Sequence, residues 1–386
     1  MSQLIIRCRN AAQALFPFFT TYQIKKFLLV CDRVFPRLKL AQPFQSCPVP
    51  YVIFDRFTPN PVYEDVCQGV ELFRQQGCDA IVAVGGGSCL DVAKCIKLFS
   101  TMEPGQSYLT QDCKENHIPL IAIPTTSGTG SESTRFAVIY DRGVKQSIAS
   151  PAAIPQLAIL DADVLDTLPL YQKKCTMMDA LCQAIESWWS VHATEQSQNL
   201  SRRAVHAILR AMDGYLANRP AENESMLQAA NLAGQAINLT QTTAAHAMSY
   251  KLTSLFGLPH GRAVAVCLPH VWQYMLHHPE HCVDARGEAY LQNTLTDIAR
   301  AIGCRDPMDA PTRMAGLYTA LFQSERPEHF RLEELELLTA SVNPVRLKNN
   351  PVALSSPAIR SLYHAILRAQ MPGIGRALEG RPADAV

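Results

Sequence analysis

The chain has 386 residues, 48% of them hydrophobic, which is enough apolar material for two domains with sizeable cores. Its formal net charge is +1, from 35 basic and 34 acidic residues, so we expect a small molecule as partner rather than nucleic acid or a membrane. Its 13 cysteines form no CxxC pair, and no signal sequence or long apolar run is evident, which predicts reduced thiols and a cytoplasmic location.

The first part of the chain alternates short apolar runs with helical patterns. The runs are typical of buried strands and span residues 27–31, 51–55, 80–84, 118–124 and 157–161. Helices are predicted between Pro61 and Gln76 and again after Ser88. This repeated order of strand, helix and strand predicts a mostly parallel sheet with helices on both faces. A hairpin that turns at residues 141–143 adds two antiparallel strands.

Beyond residue 163 the spacing of apolar residues is helical, and the sequence contains no convincing strand. Helices are predicted at residues 171–192, 196–218, 222–238, 242–256, 261–277, 284–302 and 307–322, with shorter pieces beyond. Prolines lie near the starts of these segments or in the connections between them. We therefore predict an α/β domain over residues 1–162 and an all-α domain over residues 163–386.

Two loops of small residues follow successive predicted strands. One is GGGS, which leads into a helix, and the other is TTSGTGSE. Backbone N–H groups and the positive end of a helix dipole suit a phosphate, although GGGS alone fits an ordinary tight turn equally well. Two such loops at the carboxyl ends of parallel strands predict that domain 1–162 binds a dinucleotide. The candidate cofactor-binding residues in these loops are Gly85, Gly86, Gly87, Ser88, Thr125, Thr126, Thr129 and Ser131.

Two carboxylates near the loops are further candidates for cofactor contacts. Asp32 ends a predicted strand, where it can accept hydrogen bonds from an adenosine ribose; this favours NAD(H) over NADP(H), whereas Arg33 argues the other way. Asp91 lies three residues before Lys94 on the helix after GGGS. These two residues fit either a solvated ion pair or contacts at the nicotinamide end of the cofactor.

Four polar side chains in the helical part form a candidate metal site. Asp179 and Gln183 project from one face of a helix, and His246 and His260 flank a later apolar helix. One carboxylate, one amide and two imidazoles suit Fe(II), Zn or Mn better than they suit a structural zinc site. A polar patch inside a helical bundle is the alternative interpretation.

Five segments, in this order along the chain, resemble the motifs of the iron-containing (group III) alcohol dehydrogenases: VGGGSCLDVAK, PTTSGTGSES, MDALCQAIES, AAHAMSYKLTSLFGLPHG and NNPV. The resemblance implies the two-domain architecture shared with dehydroquinate synthase and a metal in the cleft between the domains. It also implies hydride transfer between NAD(P)H and a small alcohol or aldehyde. Asp179, His246 and His260 match three of the family's four metal ligands, with Fe(II) as the expected metal.

The chain departs from this family at three places. Gln183 stands where the fourth ligand is usually a histidine, and an amide oxygen is a weaker donor, so we expect reduced metal affinity. Tyr250 stands where the family commonly has a histidine near the substrate. We interpret Tyr250 as a catalytic proton relay or orienting group beside His246. The family's opening strand is not evident before residue 27.

The two departures at the site, together with TRFAVIY and DALCQAIESWWSV, resemble a subgroup that includes phosphonoacetaldehyde reductases. Such an enzyme converts phosphonoacetaldehyde to 2-hydroxyethylphosphonate. A phosphonate needs fixed cations, because its oxygens carry negative charge. The candidate substrate-binding residues are Arg135, Phe136, Lys145 and Arg262.

Two other functions stay open at this point. One is a dehydroquinate synthase-like lyase, which uses NAD and a metal in a similar architecture. The other is a metal-free, non-catalytic relative in which Gln183 marks a lost site. We also expect a homodimer or a higher homo-oligomer, which Trp188, Trp189 and the helical surface could support, although the sequence does not distinguish exposed from buried aromatic residues.

Overall fold

A computed structural model describes residues 3–323 and 331–370 of the chain. The chain divides into two compact units. One comprises the residues up to Ala180 together with Ala207–Asn238, and the other comprises Leu181–His206 together with the residues from Leu239 onward. The predicted domain boundary at residue 162 stays a prediction, and residues 324–330 and 371–386 of the predicted second domain lie outside the described residues.

The described part of the chain contains eight strands, which are β1 (Leu4–Cys8), β2 (Phe27–Cys31), β3 (Tyr51–Phe54), β4 (Ala80–Gly85), β5 (Leu120–Pro124), β6 (Phe136–Asp141), β7 (Val144–Ala149) and β8 (Leu157–Asp161). Six of them form one sheet in the order β1-β8-β5-β4-β2-β3, and every neighbouring pair is parallel. The four inner strands bury every residue, as expected where helices cover both faces of a sheet. The predicted parallel sheet is confirmed.

Strands β6 and β7 form the predicted hairpin. They pair antiparallel from Phe136 and Ala149 to Asp141 and Val144. The two turn residues, Arg142 and Gly143, have φ values of +48° and +77°. Positive φ at both positions is what a two-residue turn needs to match the twist of its strands.

Strand β1 contradicts the prediction that no opening strand precedes residue 27. It pairs with β8 alone, at the edge of the sheet, with Leu4 opposite Leu157. Its sequence, LIIRC, is short and contains Arg7, and no residue of the strand is fully buried. An edge strand of this kind has a weak apolar signature because a single neighbour and partial burial suffice to hold it.

The described helices are α1 (Ala11–Thr21), α2 (Ala41–Phe44), α3 (Tyr63–Gln75), α4 (Gly87–Phe99), α5 (Leu170–Trp189), α6 (Glu195–Leu216), α7 (Pro220–Thr240), α8 (Ala244–Phe256), α9 (His260–His277), α10 (Glu288–Ala301), α11 (Ala310–Phe322), α12 (Leu335–Ala340), α13 (Pro344–Leu347) and α14 (Ser356–Gln370). In the described residues no strand follows β8, so the prediction of a helical second half is confirmed. None of the described helices is long and apolar enough to cross a membrane.

The two tryptophans at the end of α5 face inward. Trp188 and Trp189 are both buried within the chain. The indole N–H of Trp189 donates a hydrogen bond of 2.9 Å to Oγ1 of Thr243, just before α8. The sequence could not tell whether these tryptophans are exposed or buried, and the structure shows that both are buried, so neither is available as a contact between subunits.

Candidate active site

The GGGS turn joins β4 to α4 inside the first unit. β4 ends at Gly85, and α4 begins at Gly87, so the first turn of a long helix directs its N–H groups toward the edge of the sheet. β5, the neighbour of β4, ends with Pro124 opposite Gly85. The N–H of Thr125 then donates a hydrogen bond of 3.0 Å to the carbonyl of Gly85. Both loops thus leave the sheet at the same place.

Close packing explains two glycines of the loops, one against the other loop and one against α7. A Cβ atom at Gly87 would lie 2.8 Å from Cγ2 of Thr129, which is closer than real atoms approach. Gly130 has a φ of +58°, and a Cβ there would lie 2.5 Å from Cα of Gly234 on α7. The predicted adjacency of the two loops is confirmed, and its glycines let the backbone make these approaches.

Asp32 lies against the GGGS turn. Its Oδ2 accepts a hydrogen bond of 3.1 Å from the N–H of Gly86. Burial raises the pKa of this carboxyl group, and the Gly86 bond opposes the rise. Beside it is a cavity of about 390 Å³, whose lining includes Asp32, Arg33, Asp55, Gly86, Gly87 and Ser88. Four of the candidate cofactor-binding residues therefore surround one cavity.

Asp91 and Lys94 do not form a solvated ion pair, because Lys94 is 0% exposed. Its ammonium donates to Oγ of Ser131 at 2.8 Å, Oγ1 of Thr134 at 3.0 Å and the carbonyl of Phe136 at 2.7 Å. Asp91 accepts from the same Ser131 hydroxyl at 2.9 Å. Burial lowers the pKa of Lys94 to about 8. The pair thus ties the second loop and the hairpin to α4.

Three of the four candidate metal ligands lie together on α5, α8 and α9. Asp179, His246 and His260 each offer one ligand atom, and these atoms lie within 4.8 Å of one another. Asp179 and His246 are buried, and His260, the first residue of α9, is half-buried. The rings of His246 and His260 have centroids 5.4 Å apart.

Gln183, the fourth candidate ligand, lies one turn after Asp179 on α5. Its side chain is 4% exposed. Its Oε1 atom is buried and has no hydrogen-bond partner among the described residues. A buried amide oxygen without a partner costs free energy, on the order of 1–3 kcal/mol, unless something else satisfies it. This oxygen and the donor set around it fit a divalent metal.

Glu186 is a buried carboxylate of the site that the sequence analysis missed. Its Oε1 accepts from Oγ1 of Thr243 at 2.7 Å and from the N–H of Ala245 at 2.8 Å, at the start of α8. Its Oε2 contacts Nδ1 of His246. The signal was an acidic residue in an apolar helix, three positions after Gln183, on the face that carries the candidate ligands.

The remaining candidates for catalysis and substrate binding lie in both units. The ring of Tyr250 stacks on His260 with centroids 5.7 Å apart and planes at 3°. Arg262 is buried, donates from Nε to the hydroxyl of Tyr318 at 3.3 Å and lies 5.1 Å from the Phe322 ring.

In the first unit, Arg135 donates from Nη1 to the carbonyl of Asn238 at 2.7 Å and lies 4.9 Å from the ring of Phe136. Lys145 is a half-buried residue of β7, opposite Tyr140 in the hairpin. The carbonyl of Asn238 thus holds the guanidinium of Arg135 at the end of α7.

Two family models match the chain. The one described as "Iron-containing alcohol dehydrogenase" matches residues 3–162, and the one described as "Fe-containing alcohol dehydrogenase family, C-terminal" matches residues 174–367. The first match spans β1 to β8, and the second runs from within α5 into α14.

Three individual proteins are similar to this chain over most of their length. The chain is 33% identical over 323 residues to "Probable alcohol dehydrogenase EutG" of Salmonella typhimurium, covering 79% of this chain and 77% of that protein. It is 29% identical over 361 residues to lactaldehyde reductase of Escherichia coli K12, and the match covers 88% of this chain and 91% of that protein. Among solved structures, sulfoacetaldehyde reductase from Bifidobacterium kashiwanohense in complex with NAD+ has a TM-score of 0.84 and 26% identity, covering 95% and 97%.

Proposed function

Because the chain belongs to the iron-containing alcohol dehydrogenase family, we propose that it reduces a small aldehyde with a nicotinamide cofactor and a divalent metal. The chain is an oxidoreductase that acts on CH–OH groups. The observation that carries the metal part of the proposal is the meeting of one carboxylate and two imidazoles within 4.8 Å.

Asp179, Gln183, His246 and His260 are the proposed ligands of the metal. The unsatisfied Oε1 of Gln183 supports this set, because a cation would supply the partner that the oxygen lacks. Fe(II) is the preferred ion because the matching family models describe iron-containing enzymes. Zn and Mn are alternatives, because mixed oxygen and nitrogen donors suit all three ions. When bound, the metal would act as a Lewis acid on the aldehyde oxygen, and the nicotinamide would carry the hydride.

Glu186 is proposed to hold His246 in one orientation. An Nδ1–H group on His246 would donate to Oε2 of Glu186, so that Nε2 would be the nitrogen that binds the metal. The two bonds to Oε1 of Glu186 hold the carboxylate itself against the start of α8. The ligand His246 is thus oriented by contacts within the protein and does not depend on the metal for its position.

Tyr250 is proposed to donate a proton to the carbonyl oxygen of the substrate as hydride reaches the carbonyl carbon, which gives the alcohol, or to orient the substrate. It lies one helical turn after His246 and stacks on His260, so its side chain is next to two proposed ligands. A phenol hydroxyl can act as a general acid when it is positioned beside the reacting oxygen.

The two small-residue loops are proposed to bind the cofactor's pyrophosphate through backbone N–H groups at the start of α4. Asp32, at the edge of the adjoining cavity, supports NAD(H) over NADP(H), because a carboxylate there would repel a 2′-phosphate. The hydroxyl of Ser131 donates a hydrogen bond to Asp91, and this bond stabilises the second loop in addition to any contact that either residue makes with the cofactor.

The proposed substrate is an aldehyde with an anionic group, phosphonoacetaldehyde, and the product is 2-hydroxyethylphosphonate. The similarity to sulfoacetaldehyde reductase supports an anionic aldehyde, since a sulfonate and a phosphonate present similar oxygens. Arg262, two residues after the proposed ligand His260, supplies a buried guanidinium on the same helix. The similarity to lactaldehyde reductase favours the uncharged alternative.

A screen of NADH oxidation tests this proposal. We expect one NADH consumed per aldehyde reduced, with a higher kcat/KM for phosphonoacetaldehyde and sulfoacetaldehyde than for lactaldehyde. Arg262→Met is expected to remove that preference, whereas Arg142→Met, at the exposed turn of the hairpin, keeps it. No NADH consumption with any aldehyde would contradict the proposal and favour the lyase or the non-catalytic relative.

The chain is also proposed to assemble into a homodimer or a higher homo-oligomer. Exposed apolar side chains in the described residues include Leu4 and Val144, on the edge strand and the hairpin. Sedimentation equilibrium tests this, and a mass of one chain at micromolar concentration would contradict it.

A further inference from the structure

A second group of metal-ligating side chains lies on the turn that follows α9. His278, Glu280 and His281 each offer one ligand atom, and these atoms lie within 4.8 Å of one another. Their side chains are 42%, 60% and 49% exposed, so ions from solvent can reach them. None of these residues belongs to the cluster formed by α5, α8 and α9.

The distances in this group are close to those of a coordinated metal. Oε1 of Glu280 lies 3.1 Å from Nδ1 of His278 and 3.9 Å from Nε2 of His281. Ligands held at about 2.1 Å from a tetrahedral zinc ion are about 3.4 Å from one another. Small rotations of the side chains would therefore bring all three atoms onto one ion.

Tyr274, in the last turn of α9, contacts both histidines. Its hydroxyl lies 3.2 Å from Nδ1 of His281, and its ring centroid lies 4.4 Å from that of His278. With Nδ1 of His281 bonded to the tyrosine, Nε2 of that ring faces Glu280. A partner of this kind orients a metal-binding histidine and selects the nitrogen that coordinates.

The backbone of the turn is fixed on its far side by a segment near residue 352. The N–H of Ala353 donates a hydrogen bond of 2.9 Å to the carbonyl of His281. The N–H of Val283 donates another of 2.9 Å to the carbonyl of Pro351. Pro279 restrains the turn from within. Less conformational entropy is lost on binding when the ligands are already in position.

We propose that His278, Glu280 and His281 bind a divalent metal ion at the surface of the second unit, and that Zn²⁺ is the preferred ion. Two imidazoles and one carboxylate suit Zn²⁺, and water would complete the coordination of an ion at this exposed position. This site is independent of the proposed reductase function. Together with the metal proposed at α5, α8 and α9, it predicts that the chain binds more than one metal ion.

Titration of metal-free full-length protein with Zn²⁺, against a chromophoric chelator at pH 7.5, tests the proposal. We expect two classes of site, of which His278→Ala/His281→Ala removes only one, while Asp179→Ala removes only the other. Glu280→Gln is expected to weaken the surface class at least about tenfold.

His277→Ala is the matched control. His277 is an adjacent exposed histidine, whose Nδ1 lies 2.8 Å from the carbonyl of Gln273, and it is absent from the group. This variant is expected to titrate as the wild type does. All variants alter exposed side chains except Asp179→Ala, so circular dichroism before titration verifies that they are folded. Identical titrations of wild type and His278→Ala/His281→Ala would overturn the proposal, whatever happens at Asp179.

Discussion

Replacing Glu186 by glutamine is predicted to weaken metal binding at the helical cluster, by which we mean Asp179, Gln183, His246 and His260. A glutamine can keep the bonds that Oε1 accepts from Thr243 and Ala245, but its amide nitrogen is a donor. The ring of His246 must then face that donor with its own N–H or carry its proton on Nε2, the nitrogen that would bind the metal. Loss of such a carboxylate–histidine pair costs about 10- to 100-fold in metal affinity, or ~1.4–2.7 kcal/mol.

The assay is a competition titration of metal-free protein, with thermal unfolding measured in parallel. Glu195→Gln, at the exposed start of α6, makes the same change of charge and is expected to bind metal as the wild type does. The reasoning is refuted if folded Glu186→Gln binds metal at the helical cluster as tightly as the wild type.

Three further substitutions give separate tests. Lys97 is 0% exposed, its ammonium has no hydrogen-bond partner among the described residues, and burial lowers its pKa to about 8. The free-energy cost of keeping Lys97 charged in the folded protein is fully present below pH 8 and disappears toward pH 10.5. Lys97→Met should therefore raise the free energy of unfolding at pH 7 by up to about 3 kcal/mol, and this gain should shrink as the pH rises. Urea unfolding at several pH values measures the gain, and a gain independent of pH contradicts the prediction. Gln183→His should tighten Zn²⁺ binding by about tenfold, because imidazole is the better donor, and unchanged affinity would mean that Gln183 is not a ligand. Tyr250→Phe should lower kcat about 100-fold and alter the dependence of rate on pH, and unchanged kinetics would exclude the proton-relay role.

Long periodic elements could be predicted from the sequence because tertiary context agrees with local pattern there. The inner strands are buried runs of apolar residues, and α9 follows a proline that marks its start. The edge strand β1 could not be found in the same way, because Arg7 and partial burial leave no clear pattern. Its pairing with β8 joins residues more than 150 positions apart, which no local signal records.

The candidate site was predictable as a set of residue types but not as a network. Asp179, His246 and His260 were recognised by spacing and resemblance, and the structure brings their ligand atoms together. Glu186 was missed because its partners lie on α8, and only the fold shows which side chains meet it. Asp91 and Lys94 fitted either a solvated ion pair or contacts with the cofactor, since burial of Lys94 at the junction of a loop and a hairpin cannot be read from a helical spacing.

The central claim is that the helical cluster holds a metal on which aldehyde reduction depends. The most direct measurement is aldehyde-dependent NADH oxidation by protein stripped of metal and then reloaded with Fe(II) under anaerobic conditions. Activity is expected to be lost on stripping, to return with Fe(II), and not to return in His260→Ala. Full activity of the metal-free protein would contradict a role of the metal in the reaction.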